Sequence, residues 1–256
     1  MMLLKILFII ILILFPLGEF LRFDIGNNIA VKPLDFLIFL TVSSWILVFR
    51  NKLKQYFNVK YLLFPLIGLI ALLLNLSWLK PNEQLTAFLY LVRWVMYAGL
   101  AVVCISFPES FKKKIILFLF FDGLVIVFFG FLQYFFYNNL HNLYYLGWDP
   151  HMHRIFSTFL DPNFTGGFLV LYLIFTAGII YEYMKKKQKT KQKKLIILGL
   201  GSILLSTLIA LFLTFSRSSL LMFIPASILF LTLIQKKKLI ALMLIDRKST
   251  RLNSSH

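Results

Sequence analysis

The sequence predicts an all-α, polytopic membrane protein with about eight complete transmembrane helices, a truncated ninth and a cytoplasmic N-terminus. Three observations predict this class. Of the 256 residues, 60% are hydrophobic and only 14% are charged, which leaves too little polar surface for a soluble domain of this size. Apolar runs recur near the ~20 residues that cross about 30 Å of hydrocarbon. Short blocks of lysine separate these runs, as in cytoplasmic loops.

The net charge and the cysteine content exclude several classes of function. A formal charge of +17 would suggest a nucleic-acid partner in a soluble chain, but the lysines here lie in loops between apolar runs, so we expect no nucleic-acid partner. Cys104 is the single cysteine, which excludes disulfides and cysteine-based metal sites. His151 and His153 have no cysteine or cluster of acids beside them, and we therefore predict no metal and no other cofactor.

Eight apolar runs can be justified in chain order. The first lacks the small-residue cleavage site of a signal peptide, so it is predicted to stay as a transmembrane helix. The second begins at Pro33, and the fourth and fifth carry the polar residues Arg93, Asp122 and Gln133. The predicted spans are residues 1–16, 33–49, 61–79, 85–107, 115–137, 163–184, 195–215 and 220–234, and a ninth begins after the lysines at 236–238.

The distribution of lysine predicts the orientation of these spans. The loops at 50–60, 108–114, 185–194 and 236–238 carry most of the lysines. The intervening connections, at 18–32, 80–84, 138–162 and 216–219, carry few. Because lysine-rich loops remain in the cytoplasm, the alternation places the N-terminus inside and the second group of connections outside.

The last residues of the sequence are treated separately. Residues 246–256 follow an apolar run abruptly, and they are the translation of a common sequencing adapter. We therefore exclude them from the fold, as one excludes a tag or a fusion scar, and assign 1–245 to a single transmembrane domain. We expect the natural chain to continue past Ile245, so that the printed sequence is a fragment.

Arginine is distributed differently from lysine. Outside the adapter-like tail there are five arginines, of which only Arg50 lies in a lysine-rich loop. Arg22, Arg93, Arg154 and Arg217 lie on or near the predicted outer face. Arginine suits bidentate, desolvated contact with phosphate or carboxylate, which makes these residues candidates for a binding site. The alternatives are snorkelling of Arg93 to lipid headgroups and interfacial anchoring of Arg154 and Arg217 on lipid phosphate.

Four further polar residues accompany these arginines. Gln133, Asp161, Asn163 and Ser216 lie close to the predicted outer ends of the fifth, sixth and seventh spans. Their simpler interpretation is local, because Asp, Asn and Ser also stop one segment and cap the next helix. Convergence of Arg93, Gln133, Arg154, Asn163 and Arg217 on the outer third of the membrane favours a shared site. Asp122 lies nearer the cytoplasmic face and is expected to be a buried neutral acid or a hydrogen-bond partner of a neighbouring helix.

Two motifs carry a resemblance to a known family. Residues 154–163 read RIFSTFLDPN and precede an apolar helix, and residues 213–219 read LTFSRSS; GFLQ at 130–133 and LVRW at 91–94 accompany them. Over about residues 85–234, this pattern resembles the O-antigen ligase and O-antigen polymerase superfamily. Members are bacterial multi-span proteins that transfer a glycan from an undecaprenyl-pyrophosphate carrier to an acceptor at the outer face of the cytoplasmic membrane.

The resemblance implies a membrane glycosyltransferase of cell-surface polysaccharide synthesis, independent of metals. It implies catalytic contacts of Arg154 and Arg217 with the pyrophosphate of the donor, and we assign substrate binding to the remaining candidates: Arg93, Gln133, Asp161, Asn163 and Ser216. The partners are then the lipid-linked donor, a glycan or lipid acceptor and membrane lipids. Ligase and polymerase activities both remain open.

Two other functions stay open at this point. A transporter or flippase of the same lipid-linked glycans would use the outward arginines without chemistry. A non-catalytic anchor or assembly subunit would use the outward arginines only to bind lipid. The family's large external loop and its acceptor-activating histidine have no counterpart in this sequence, so none of His141, His151 and His153 is assigned that role.

Overall fold

The computed structural model describes residues 1–26, 29–52, 63–185 and 190–234. Within these ranges the chain forms eight α-helices and one short β-hairpin. The helices are α1 (Met2–Leu14), α2 (Pro33–Phe49), α3 (Leu63–Leu74), α4 (Pro81–Ser106), α5 (Glu109–Phe136), α6 (Pro162–Lys185), α7 (Lys191–Leu213) and α8 (Arg217–Leu233). The predicted ninth span, the lysines at 236–238 and the adapter-like tail lie outside the described residues, as does most of the lysine-rich loop at 50–60.

The helices confirm a multi-pass membrane protein. Five described segments are long and apolar enough to cross a membrane: Met2–Leu21, Pro81–Ser106, Glu109–Phe136, Pro162–Lys185 and Lys191–Leu213. The other three helices, α2, α3 and α8, are apolar but shorter. The 12 residues of α3 span about 18 Å at 1.5 Å per residue, well short of a hydrocarbon core of about 30 Å. The prediction of eight spans is thus confirmed in five cases.

Local sequence signals explain where several helices begin. Helix α2 occupies the predicted 33–49, with Pro33 in the first turn and Asp35 accepting from the backbone nitrogen of Lys32 over 3.4 Å. Helix α4 begins at Pro81, earlier than predicted, because Glu83 accepts from the backbone nitrogen of Lys80 over 2.8 Å. A proline and a capping acid therefore fix both starts.

The connection at 18–32 is more ordered than predicted. A 3₁₀ helix, Phe15–Leu21, extends α1, and the strands β1 (Phe23–Gly26) and β2 (Ile29–Val31) then pair antiparallel. Phe23 lies opposite Val31 in this pairing. Aromatic and β-branched residues favour such pairing, and the segment is too short to register as a periodic pattern in the sequence.

The chain divides into two compact units, Met1–Asp122 and Gly123–His256. In the first, α1, α2, α4 and the start of α5 share one apolar core. Trp45 lies in that core and donates from Nε1 to Oγ of Ser106 over 2.9 Å, which satisfies its indole nitrogen and ties α2 to α4.

In the second unit, α6 packs against both α7 and α8. Small residues allow α6 to approach its neighbours closely. A Cβ atom placed on Gly166 would lie 2.4 Å from Oγ of Ser219 in α8. Glycine at such contacts is typical of packed membrane helices, since their association depends on close backbone approach.

Candidate functional site

The start of α6 is organised by Asp161. Its Oδ1 accepts hydrogen bonds from the backbone nitrogens of Asn163, over 2.6 Å, and Phe164, over 3.0 Å. Pro162 occupies the first position of the helix, where a backbone donor is not needed. Asp161 thus acts as a helix cap, and this leaves Asn163 at the exposed first turn with its side chain facing the next motif.

The second motif forms the turn between α7 and α8. Phe215 has a left-handed backbone, with φ +49°, and reverses the chain after α7. Ser216 then caps α8, with its hydroxyl accepting from the backbone nitrogen of Ser219. The backbone nitrogen of Ser216 donates in turn to the hydroxyl of Thr214 over 3.2 Å. This local network fixes the direction in which α8 leaves the turn.

The two motifs meet through hydroxyl and amide groups. Ser216 Oγ donates to Oδ1 of Asn163 over 2.8 Å and lies 2.9 Å from the hydroxyl of Ser219. Ser219 Oγ donates to the backbone oxygen of Asn163 over 3.3 Å. Gly166 makes this approach possible, because any side chain there would collide with Ser219. The result is a polar cluster at the start of both α6 and α8.

Arg154 joins the first motif to the end of α7. Its Nε donates to the backbone oxygen of Thr214 over 2.8 Å, and Nη2 lies 3.4 Å from that of Phe215. The backbone nitrogen of Ile155 donates to the oxygen of Leu213 over 2.9 Å. Carbonyl groups at a helix C-terminus lack intrahelical partners and carry partial negative charge, which explains why a guanidinium binds there.

Gln133 fixes the backbone around Arg154. Its Oε1 accepts from the backbone nitrogens of Phe156, over 2.9 Å, and Ser157, over 3.2 Å. Its Nε2 donates to the backbone oxygens of Arg154, over 3.1 Å, and Tyr137, over 3.0 Å. The oxygen and the nitrogen of the amide both bond to main-chain groups, so Gln133 stabilises the backbone of the site.

The segment that Gln133 holds has an unusual backbone. Among the described residues, five that are not glycine have left-handed conformations. Four lie in this connection, His151, His153, Ser157 and Leu160, and the fifth is Phe215 in the turn after α7. Such conformations cost free energy and persist where the surroundings over-determine them, often at functional sites. Here Ser157 Oγ donates to the backbone oxygen of Ile126 over 2.7 Å, and Thr165 Oγ1 donates to that of Phe156 over 2.6 Å.

Arg217 differs from Arg154 in having no internal role. It is the first residue of α8, directly after the Ser216 cap, and its side chain is exposed. Its guanidinium makes no hydrogen bond or ion pair with the part of the chain that the structure describes. A cation held at a helix N-terminus, where backbone N–H groups also face outward, is suited to an anionic ligand.

Arg93 belongs to the first unit, where it has an acidic partner. Its Nη2 lies 2.6 Å from Oδ2 of Asp35 and 3.1 Å from the backbone oxygen of Ala30. Tyr97 donates to Oδ1 of the same carboxylate over 2.8 Å. Sequence reasoning missed Asp35, since its position in the first turn of α2 marks it only as a cap. The structure thus places Arg93 in an ion pair, and its assignment to substrate binding stays a prediction.

The connection before Arg154 contains a buried histidine. The ring of His151 is 9% exposed, and its Nδ1 lies 3.6 Å from Oδ2 of Asp149. Burial lowers the pKa of His151 below its ordinary value; the carboxylates of Asp149 and Asp161 oppose this shift, and Arg154 adds to it. Among the described residues, no group of three or more His, Cys, Asp and Glu side chains is placed to hold a metal ion.

Comparisons with known proteins do not extend this description. No family model, no curated protein and no solved structure matches the chain. Function must therefore be inferred from the side chains of the site and from the short motifs that carry the family resemblance.

Proposed function

We propose that this chain is a membrane glycosyltransferase of the O-antigen ligase and polymerase type. It transfers or polymerises undecaprenyl-pyrophosphate-linked glycans at the outer face of the bacterial cytoplasmic membrane. Its donor is the lipid-linked glycan, its acceptor a glycan or lipid hydroxyl, and it uses no metal. The proposal rests on the sequence motifs together with the way in which their residues meet.

The observation that carries this proposal is the junction of the two motifs. The hydrogen bonds from Arg154 to Thr214 and from Ser216 to Asn163 bring together segments more than 50 residues apart. Arg217 extends from this junction with its guanidinium unpaired within the described residues. An exposed cation, a helix N-terminus and several hydroxyl donors on one junction are the groups that bind phosphate oxygens.

In the proposed reaction, the acceptor hydroxyl attacks the anomeric carbon of the donor sugar. A glycosidic bond forms as the bond to the pyrophosphate breaks, and the pyrophosphate leaves with its lipid. Arg217 stabilises the negative charge that develops on the leaving group. Arg154 contributes the guanidinium N–H groups that are not bonded to the carbonyl groups at the end of α7. Asn163 and Ser216 orient the substrate. Gln133 and Asp161 act through the backbone that they hold.

This function requires a particular membrane arrangement. The motif junction must face outward, which agrees with the cytoplasmic N-terminus inferred from the lysine-rich loops. In this arrangement α2, α3 and α8 also cross the membrane, which gives eight spans in the described part of the chain. The short helices cross by local thinning of the bilayer or by adjustment of flanking residues.

The proposal is tested by glycan transfer with the purified full-length protein in lipid vesicles. The probes are an undecaprenyl-pyrophosphate-linked oligosaccharide and a hydroxyl-bearing oligosaccharide acceptor, and the readout is release of undecaprenyl pyrophosphate. We expect Arg154→Ala and Arg217→Ala to abolish release while the chain still inserts into the membrane. Arg50→Ala is the matched control, because Arg50 is an exposed arginine in a lysine-rich loop.

Other outcomes separate the alternatives. Movement of the lipid-linked glycan across the vesicle membrane without release of pyrophosphate would favour a transporter or flippase. Full function of both Arg154→Ala and Arg217→Ala would favour a non-catalytic anchor. Full activity of Arg217→Lys would remove the bidentate contact from the mechanism, because lysine preserves only the point charge.

A further inference from the structure

A second polar feature lies away from the motif junction, in the middle of α5. Asp122 is 5% exposed, within a helix that is long and apolar enough to cross a membrane. It follows Lys114, the last lysine of the preceding block, by roughly 12 Å of helix at 1.5 Å per residue. The carboxyl group therefore lies inside the hydrocarbon region, where ionisable residues are costly and are functional candidates by default.

The surroundings of Asp122 provide no positive charge. Its Oδ2 is buried without a hydrogen-bond partner, and none of the described residues forms an ion pair with it. Several cations of the first unit have partners of their own: Lys112 pairs with Glu109 over 2.8 Å, and Lys5 lies over the ring of Phe111. Arg93 is paired with Asp35. An ionised carboxylate at Asp122 would thus be buried with no compensating partner, a state that proteins avoid by neutralising the group.

We propose that Asp122 is a proton-binding site within the membrane, whose buried carboxyl group holds a proton at neutral pH. A metal cation fits the position less well, because a hard cation needs several converging oxygen ligands. The described residues contain no group of three or more metal-binding side chains. The site is independent of the proposed glycan transfer, which requires no proton at this depth.

The test is infrared difference spectroscopy on the full chain in lipid vesicles. Subtracting the spectrum of Asp122→Asn from that of the unsubstituted protein isolates the vibrations of this one carboxyl group. At neutral pH we expect a carbonyl band of a protonated carboxylic acid and no carboxylate bands. Asparagine has the size and neutrality of the protonated acid, so this variant is expected to fold.

Asp35→Asn is the matched control, because Asp35 is a carboxylate paired with Arg93 on a helix of similar composition. Its difference spectrum should show carboxylate bands and no acid band at neutral pH. If Asp122→Asn does not fold, Asp122→Glu replaces it, and the acid band should shift in frequency and persist. Carboxylate bands for Asp122 at neutral pH, in either variant, would overturn the proposal.

Discussion

Nε of Arg154 donates a hydrogen bond to the backbone oxygen of Thr214 over 2.8 Å, across 60 residues of sequence. This bond places the guanidinium at the C-terminal end of α7, immediately before the turn that carries Ser216 and Arg217. Arg154 therefore has a structural part in the site as well as the proposed contact with substrate. Removing it should both loosen the turn and remove a cation.

Gln133 is predicted to stabilise the second unit. In Gln133→Leu the backbone nitrogens of Phe156 and Ser157 lose their acceptor, and a buried unsatisfied group costs about 1–3 kcal/mol. We expect a loss of at least that order in the free energy of unfolding, measured by detergent titration in mixed micelles. Gln133→Glu, which retains an acceptor, should lose less. Equal stability of Gln133→Leu and the unsubstituted protein would show that the hydrogen bonds of Gln133 do not contribute to stability.

Two adjacent glycines in α6 provide a matched test of helix packing. In Gly166→Ala the new methyl group would meet Ser219 at 2.4 Å, and overpacking of this kind typically costs about 1–3 kcal/mol. In Gly167→Ala the nearest atom, Cε of Met222, is 3.7 Å away, so that change should be neutral or mildly stabilising. Thermal unfolding of the two variants checks this order, and a reversed order would contradict the close approach of α6 and α8.

The ion pair in the first unit should behave cooperatively. Arg93→Ala leaves the carboxylate of Asp35 without its cation, and we expect it to destabilise the protein by about 1–3 kcal/mol, as for a charged hydrogen bond. The double variant Asp35→Ala/Arg93→Ala should lose less than the sum of the single changes. Unfolding free energies of the full cycle measure this coupling. Strict additivity would mean that the contact contributes nothing.

The buried ring of His151 predicts a dependence of stability on pH. Because burial lowers its pKa in the folded state, the unfolded chain binds a proton first as the pH falls. Stability from this group is complete above about 6.5, the ordinary pKa of histidine, and is lost as the pH falls through the folded pKa. His151→Phe should flatten the decline of the unfolding temperature on acidification. If the unfolding temperature of His151→Phe declined equally on acidification, the pH dependence would come from other groups. His141→Phe, at an exposed position, is the control.

The sequence predicts much of the fold because membrane helices follow from local composition. Helix α2 coincides with the predicted span because Pro33 and Arg50 bound a largely apolar run in which Asp35 is the only charged residue. Helix α3 ends at Leu74, before the predicted end at residue 79, since apolar composition alone does not determine where the backbone leaves the helix. The hairpin was missed because two short strands have no extended periodic pattern.

The candidate site was predictable in its residue types and not in its contacts. Charge and position identify Arg154, Asn163 and Ser216. In the structure Ser216 contacts Asn163, and Arg154 contacts the adjoining turn at Thr214 and Phe215. The roles of Gln133 and Asp161 as supports for the backbone depend on bonds to main-chain groups, which carry no signature in the sequence. The pairing of Arg93 with Asp35 joins residues 58 positions apart and could not be predicted from the sequence either.

The central claim is that the junction beside Arg217 binds the pyrophosphate of a lipid carrier. Its most direct test is the affinity of undecaprenyl pyrophosphate for the purified chain in lipid nanodiscs, compared among Arg217→Ala, Arg50→Ala and the unsubstituted protein. A charged hydrogen bond of about 1.5–3 kcal/mol predicts binding weakened by about 10-fold to 100-fold in Arg217→Ala and unchanged in Arg50→Ala. Equal affinity in all three proteins would contradict the claim.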